Sequence, residues 1–123
     1  MGRYYEGDIQ GKFAFAIQSS AAADRFGVLG NRPEYLEYYF NESNIEDIKS
    51  ELTKIENTFG DYKNAILSYY DLELDITIYD YLSKAGITIP EDNLVNYHDY
   101  ILGRKILECV IERGECYFTA ELN

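Results

Sequence analysis

One histidine and two cysteines are all the imidazole and thiol chemistry in this chain of 123 residues. Cys109 and Cys116 stand near each other with no second pair. That is too few ligands for a structural zinc site and too sparse for a disulfide scaffold, so both read as buried thiols. A transition-metal centre would have to recruit carboxylates, and no spacing in the sequence asks for one. Tryptophan is absent and only two prolines interrupt the chain. No run of about 18 apolar residues occurs, so no membrane span is expected, and no secretory signal follows the first residues. The expected location is the cytoplasm. Gly27 and Gly30 form neither a dinucleotide fingerprint nor a phosphate loop.

What the chain has in quantity is negative charge and tyrosine. Residues 1–33 carry a net charge of +1, residues 34–99 of −11 and residues 100–123 of −1, so the formal charge of −11 sits in one central segment. Such a segment repels nucleic acid and anionic membranes and attracts basic protein surfaces. Hydrophobic residues make up 46% and aromatic residues 15%, enough apolar surface to offset chain entropy, so residues 1–123 are expected to fold as a single domain.

Along the chain the hydrophobic period changes twice. Residues 9–18 alternate, with Phe13, Phe15 and Ile17 on one side, the pattern of a strand. A hairpin within residues 4–18 would add another. At the other end Cys116, Phe118, Ala120 and Leu122 alternate with Glu115, Tyr117, Thr119 and Glu121. The two terminal strands are expected to pair antiparallel.

Between them the period is helical. Ser43 and Glu46 have the spacing of a capping box, and Ile45, Ile48, Leu52, Ile55 and Phe59 follow at steps of three and four until Gly60. Asp61 is placed to cap a second helix bearing Tyr62, Ala65, Ile66, Tyr69 and Tyr70. Residues 76–84 read as a third helix ending at Gly86. Pro90, Glu91 and Asp92 open a long last helix that Gly114 stops, with Val95, His98, Leu102, Ile106 and Cys109 as its apolar stripe. Residues 19–34 read as a loop with one helical turn near Ala21–Phe26, capped by Ser19 or Ser20. The expected fold is α+β, a small antiparallel sheet from the N- and C-terminal strands packed on three to four helices.

No catalytic residue, metal site or cofactor is assigned. His98 falls on the apolar stripe, where a hydrogen-bonded core histidine is the expectation. Asp71, Glu73 and Asp75 alternate like the start of a calcium loop but lack its turn glycine and terminal glutamate.

Two groups of residues remain as candidate binding sites. In the first, Glu34, Tyr35, Glu37, Tyr38, Tyr39, Glu42, Glu46, Asp47, Glu51 and Glu56 interleave rings with carboxylates. This suits a face that anchors through tyrosine and selects basic partners through charge. In the second, Lys12, Gln18, Ser19, Ser20, Asp24, Arg25 and Phe26 gather hydroxyls, an amide, cations and a ring in a loop that could hold a nucleotide signal. The stripe at residues 45–59 is also a candidate seam for a homodimer.

The opening Met1-Gly2-Arg3-Tyr4-Tyr5 with Gly7-Asp8-Ile9, Gly11-Lys12-Phe13, Gln18-Ser19-Ser20, Ala23-Asp24 and Phe26-Gly27-Val28 resembles a family of small acidic proteins of tailed-phage and gut metagenomic sequences. Gly103, Lys105-Ile106, Cys109 and Ala120-Glu121-Leu122 are similar at the other end. The resemblance implies a phage accessory role, in which small acidic proteins block host defence complexes, but no established activity. The combined expectation is a non-enzymatic, anti-CRISPR-like inhibitor that occupies a basic, nucleic-acid-binding surface of a host protein without binding nucleic acid itself. The alternative is a protein that sequesters a nucleotide signal near residues 12–26.

Overall fold

The computed structural model describes residues 3–30 and 35–121. Strands β1 (Tyr4–Gly7), β2 (Gly11–Lys12), β3 (Tyr35–Asn41) and β4 (Glu115–Glu121) form one antiparallel sheet in the order β2-β1-β4-β3. Helices α1 (Ile45–Glu56), α2 (Lys63–Leu72), α3 (Ile78–Lys84) and α4 (Leu94–Arg113) occur between β3 and β4 in the chain. The fold is α+β, and the terminal strands pair antiparallel, Tyr5 opposite Ala120 and Glu6 opposite Thr119. No described helix is long and apolar enough to cross a membrane.

The inner face of the sheet carries Tyr5, Leu36, Tyr38, Phe40, Cys116, Phe118 and Ala120, all buried. Phe118 is the centre of an aromatic stack, its ring 5.2 Å from Tyr38 and 6.2 Å from Phe40. Burying a side chain of this size contributes about 1.5–3 kcal/mol, before any ring-packing term. Helix α4 is the central helix and packs on α1 and β4. Its buried residues are Tyr97, Asp99, Tyr100, Leu102, Gly103, Ile106, Leu107, Cys109 and Val110. The buried stripe is rotated from the expected one: Val95 is 47% exposed and His98 lies at the boundary. Gly103 sits where α4 meets the helical turn Ala22–Phe26, and a Cβ there would lie 2.5 Å from the Phe26 ring.

Several local readings change. The expected strand at residues 9–18 is extended only over Gly11–Lys12. The chain then turns, with the Ala14 carbonyl accepting from the Ile17 and Gln18 amides. Phe13 is buried, but Phe15 is 65% exposed and Ile17 38%. The cause is Gln18, whose Oε1 accepts from the Ala14 amide and whose Nε2 donates to Asp99 on α4, folding the segment back.

The capping residues also differ. The α1 entrance is capped by Asn41, whose Oδ1 accepts from the Ser43 amide at 2.9 Å, and Asn44 Oδ1 accepts from the Asn41 amide at 2.9 Å. The capping box is therefore Asn41–Asn44, not Ser43–Glu46, because β3 runs to Asn41 and leads straight into the turn. Helix α1 ends before Asn57, a turn ahead of Gly60. Helix α2 follows Tyr62 with no side-chain cap, so Asp61 does not cap it. Thr77 caps α3 by accepting from the Asp80 amide. Ile48, Leu52, Ile55 and Phe59 are buried in the chain's own core, which removes that stripe as a dimer seam.

Candidate functional site

Strand alternation that buries one face of the sheet necessarily assembles the other. The outer face carries Tyr35, Glu37 and Tyr39 from β3, Glu115, Tyr117, Thr119 and Glu121 from β4, and Tyr4 and Glu6 from β1. The register sets them side by side: Glu6 and Glu37 flank Thr119, Tyr39 faces Tyr117, and Tyr35 faces Glu121. The four tyrosines are between 42% and 51% exposed. Exposed rings on an antiparallel sheet edge-to-edge with carboxylates make a surface that is at once apolar and negative.

The side chains on this face hold one another in place. Tyr117 Oη donates to Glu37 Oε2 at 2.8 Å, and Tyr39 Oη donates to Glu115 Oε1 at 2.9 Å. The Tyr4 amide donates to Glu121 Oε1 at 3.0 Å. The hydrogen-bonded carboxylate, aided by slight desolvation, raises the pKa of Tyr39 and of Tyr117 above that of free phenol, so both stay protonated donors. A carboxylate has about four acceptor positions, so one phenol donor leaves room for a guanidinium or ammonium. Carboxylates packed on adjacent strands repel, and a cationic partner relieves that repulsion. A cation sits at the β2 margin, where Lys12 Nζ lies 6.0 Å from the Tyr4 ring centroid.

The structure divides the first group of sequence candidates. Tyr35, Glu37 and Tyr39 belong to the outer face. Tyr38 does not: it is fully buried, and its hydroxyl donates to Asp24 Oδ1, so it cannot anchor a partner. Glu42, Glu46 and Asp47 are exposed, but on the turn into α1 and on α1, in the helical layer behind the sheet. Glu51 is held by Arg25 Nε at 2.8 Å, and Glu56 accepts from Tyr100 Oη at 2.7 Å, so both serve the fold. Glu34 lies outside the described residues. Tyr4, Glu6, Glu115, Tyr117 and Glu121 were not among the candidates. The signal for Glu115, Tyr117 and Glu121 is the polar side of the alternating C-terminal segment; residues 35–41 alternate as well, with Leu36, Tyr38 and Phe40 inward and Tyr35, Glu37 and Tyr39 outward.

The second group turns inward. Asp99, buried on α4, accepts from Gln18 Nε2 at 2.8 Å and from Arg25 Nη1 at 2.7 Å. Arg25 does not pair with its neighbour Asp24, which accepts instead from the Gly30 amide and from Tyr38. Ser20 accepts from Arg3, Ser19 accepts from the Ala21 amide ahead of a helical turn that has no side-chain cap, and Phe26 is fully buried against Gly103. These contacts fasten the loop to α1 and α4. Lys12 and Gln18 border a cavity. His98 is not a core histidine: its Nδ1 lies 3.1 Å from Tyr79 Oη at the protein surface.

No protein-family model, curated protein or solved structure matches the chain. The outer face of the sheet is therefore the strongest basis for a functional reading.

Proposed function

We propose that this protein is a non-enzymatic binding protein whose outer sheet face docks on a basic, nucleic-acid-binding surface of another protein, as an inhibitor of a host defence complex would. A single observation carries the reading: four exposed tyrosines and four glutamates share one face, and phenol hydroxyls at Tyr39 and Tyr117 already orient two of the carboxylates. Tyrosine contributes large contact area with little side-chain entropy to lose, and the ordered carboxylates match arginine or lysine on the partner. Carboxylates held in rows also resemble a phosphate backbone in charge, which is why a nucleic-acid-binding surface is the partner class of choice.

The test is capture from a bacterial lysate by the tagged protein at about 0.1 M and about 0.5 M salt, between which the screening length shortens about twofold, from about 10 Å to about 4 Å. A nucleic-acid-binding protein should be retained at low salt, be displaced by duplex DNA and be lost with the Glu37→Lys, Glu121→Lys double variant. Capture that is indifferent both to the double variant and to competing DNA would overturn the reading.

A further inference from the structure

In a chain with twice as many acidic as basic residues, two neighbouring cations of α4 line one cavity. The cavity, of about 370 Å³, lies between β1–β2 and helices α2, α3 and α4, away from the outer face of the sheet. Arg104 and Lys105 line it, with Glu108 the one carboxylate among its lining residues; Lys12 borders it too, but its ammonium lies over the Tyr4 ring on the outer face. Gathering like charges in a concave, partly dry site raises the local potential sharply, and an anion is what such a site concentrates.

The cations are positioned. Lys105 Nζ donates to Tyr5 Oη at 2.9 Å and to the Gln10 carbonyl at 3.0 Å, which fixes the ammonium at the β1–β2 hairpin. The Arg104 guanidinium lies 4.3 Å from the Tyr70 ring centroid and reaches Glu108 Oε2 with Nη2 at 3.3 Å. Its Nε is buried and, among the described residues, has no acceptor. A guanidinium keeps its charge whatever its partners, so the accessible terminal nitrogens of Arg104 remain donors for a phosphate oxygen. The ring components are in place as well. Tyr79, joined to His98, and Tyr69 line the same space, giving flat faces for a planar group. The volume falls in the range of about 300–1,000 Å³ usual for small-molecule sites.

We propose that this cavity binds a nucleoside monophosphate or a closely similar planar-ring phosphate ester, its phosphate toward Arg104 and Lys105 and its ring against Tyr79. The site is distinct from the loop of Ser19, Ser20, Asp24 and Arg25, whose polar groups the fold consumes, and it stands whether or not the outer face binds a protein.

Titration calorimetry of the full chain with adenosine 5′-monophosphate is the test, with adenosine and inorganic phosphate as the separate halves. Saturable binding of the monophosphate is expected, at least about 10-fold tighter than either half, because the charge-assisted bonds and the ring contact act together. Arg104→Gln should abolish it, and Lys105→Gln should weaken it about 10-fold. The Lys105 bond to the Gln10 carbonyl is exposed, so its variant keeps the test valid should Arg104→Gln fail to fold. Absence of saturable binding overturns the proposal. So does affinity unchanged in Lys105→Gln together with a folded Arg104→Gln, or inorganic phosphate binding as tightly as the monophosphate.

Discussion

Arg25 and Asp99, 74 residues apart in the chain, are joined by a 2.7 Å ion pair that fastens the loop after β2 to the central helix. Asp99 is 4% exposed, and its other oxygen accepts from Gln18. The pair belongs to a buried network in which each member satisfies the next, so removal of the shared acceptor strands two donors at once. Asp99→Ala should cost roughly 3 kcal/mol of stability. A urea unfolding series should show a lower midpoint with an unchanged slope. Asp99→Asn, which keeps shape and one acceptor, should lose less.

Gly103→Ala sets helix propensity against packing. Alanine gains about 1 kcal/mol over glycine in a helix interior. Here the new Cβ would stand 2.5 Å from the Phe26 ring and 2.8 Å from Leu52 Cδ2. Both neighbours are buried, and overpacking of this kind costs about 1–3 kcal/mol or more. The variant should melt below the parent, and a higher melting temperature would show that Phe26 can step aside.

His98 makes stability pH-dependent in a known direction. Burial lowers its pKa, and the nearby Asp99 opposes that shift without cancelling it. Between the folded pKa and the unfolded value of about 6.5 the unfolded chain binds more protons, so this contribution is whole above about 6.5 and is lost as pH falls through that window. The single imidazole signal in NMR should titrate below 6.5, and His98→Gln should remove part of the acid sensitivity. A titration midpoint above 6.5 would contradict this.

The two acidic regions should separate by mutation. Charge reversal at Glu42, Glu46 and Asp47 should leave partner capture intact, whereas Tyr39→Ala with Tyr117→Ala should reduce it at least about 10-fold, as central ring anchors do. The opposite ranking, read by quantitative pull-down with each folded variant, would place the interface on the helical layer.

Both thiols should react slowly. Cys109 donates to the Glu115 carbonyl at 3.4 Å, and Cys116 is fully buried. Burial, reinforced by its hydrogen bond with Cys109, pushes the Cys116 thiol well above its ordinary pKa, so little thiolate exists near neutrality. Labelling with an aromatic disulfide should be far slower in the native protein than in urea, and equal rates would refute the burial.

Much of the helical layer was legible from spacing alone. Ile48, Leu52, Ile55 and Ile66, or Leu102 and Ile106, can face a core only if the chain is helical there, and Gly86 and Gly114 mark ends where the backbone turns left-handed. The C-terminal strand was equally plain, since a period of two with one apolar side admits little else. Residues 9–18 carried the same alternation and misled, because the Gln18 side chain offers its hydrogen bonds to Ala14 and to a residue 81 positions away. Alternation describes what a strand would need; it does not say whether a distant acceptor will draw the segment into a turn.

The sequence by itself determined the acidity, the richness in tyrosine, the single-face patterning of its helices and the α+β class, because each follows from composition or from a local period. Which carboxylates face solvent, and which serve the fold, was decided only by the tertiary structure. Glu37 and Glu51 are the same residue type in the same acidic segment. One is carried outward by its place on β3, while the other is claimed by Arg25 from another part of the chain. Long-range pairing sets that difference. Strand register gathered Tyr4, Tyr39 and Tyr117 onto one face, and helix packing brought Tyr69, Tyr79 and Arg104 around one cavity. Neither juxtaposition has a local signature, since the free energy that fixes it comes from burying the opposite side of each element.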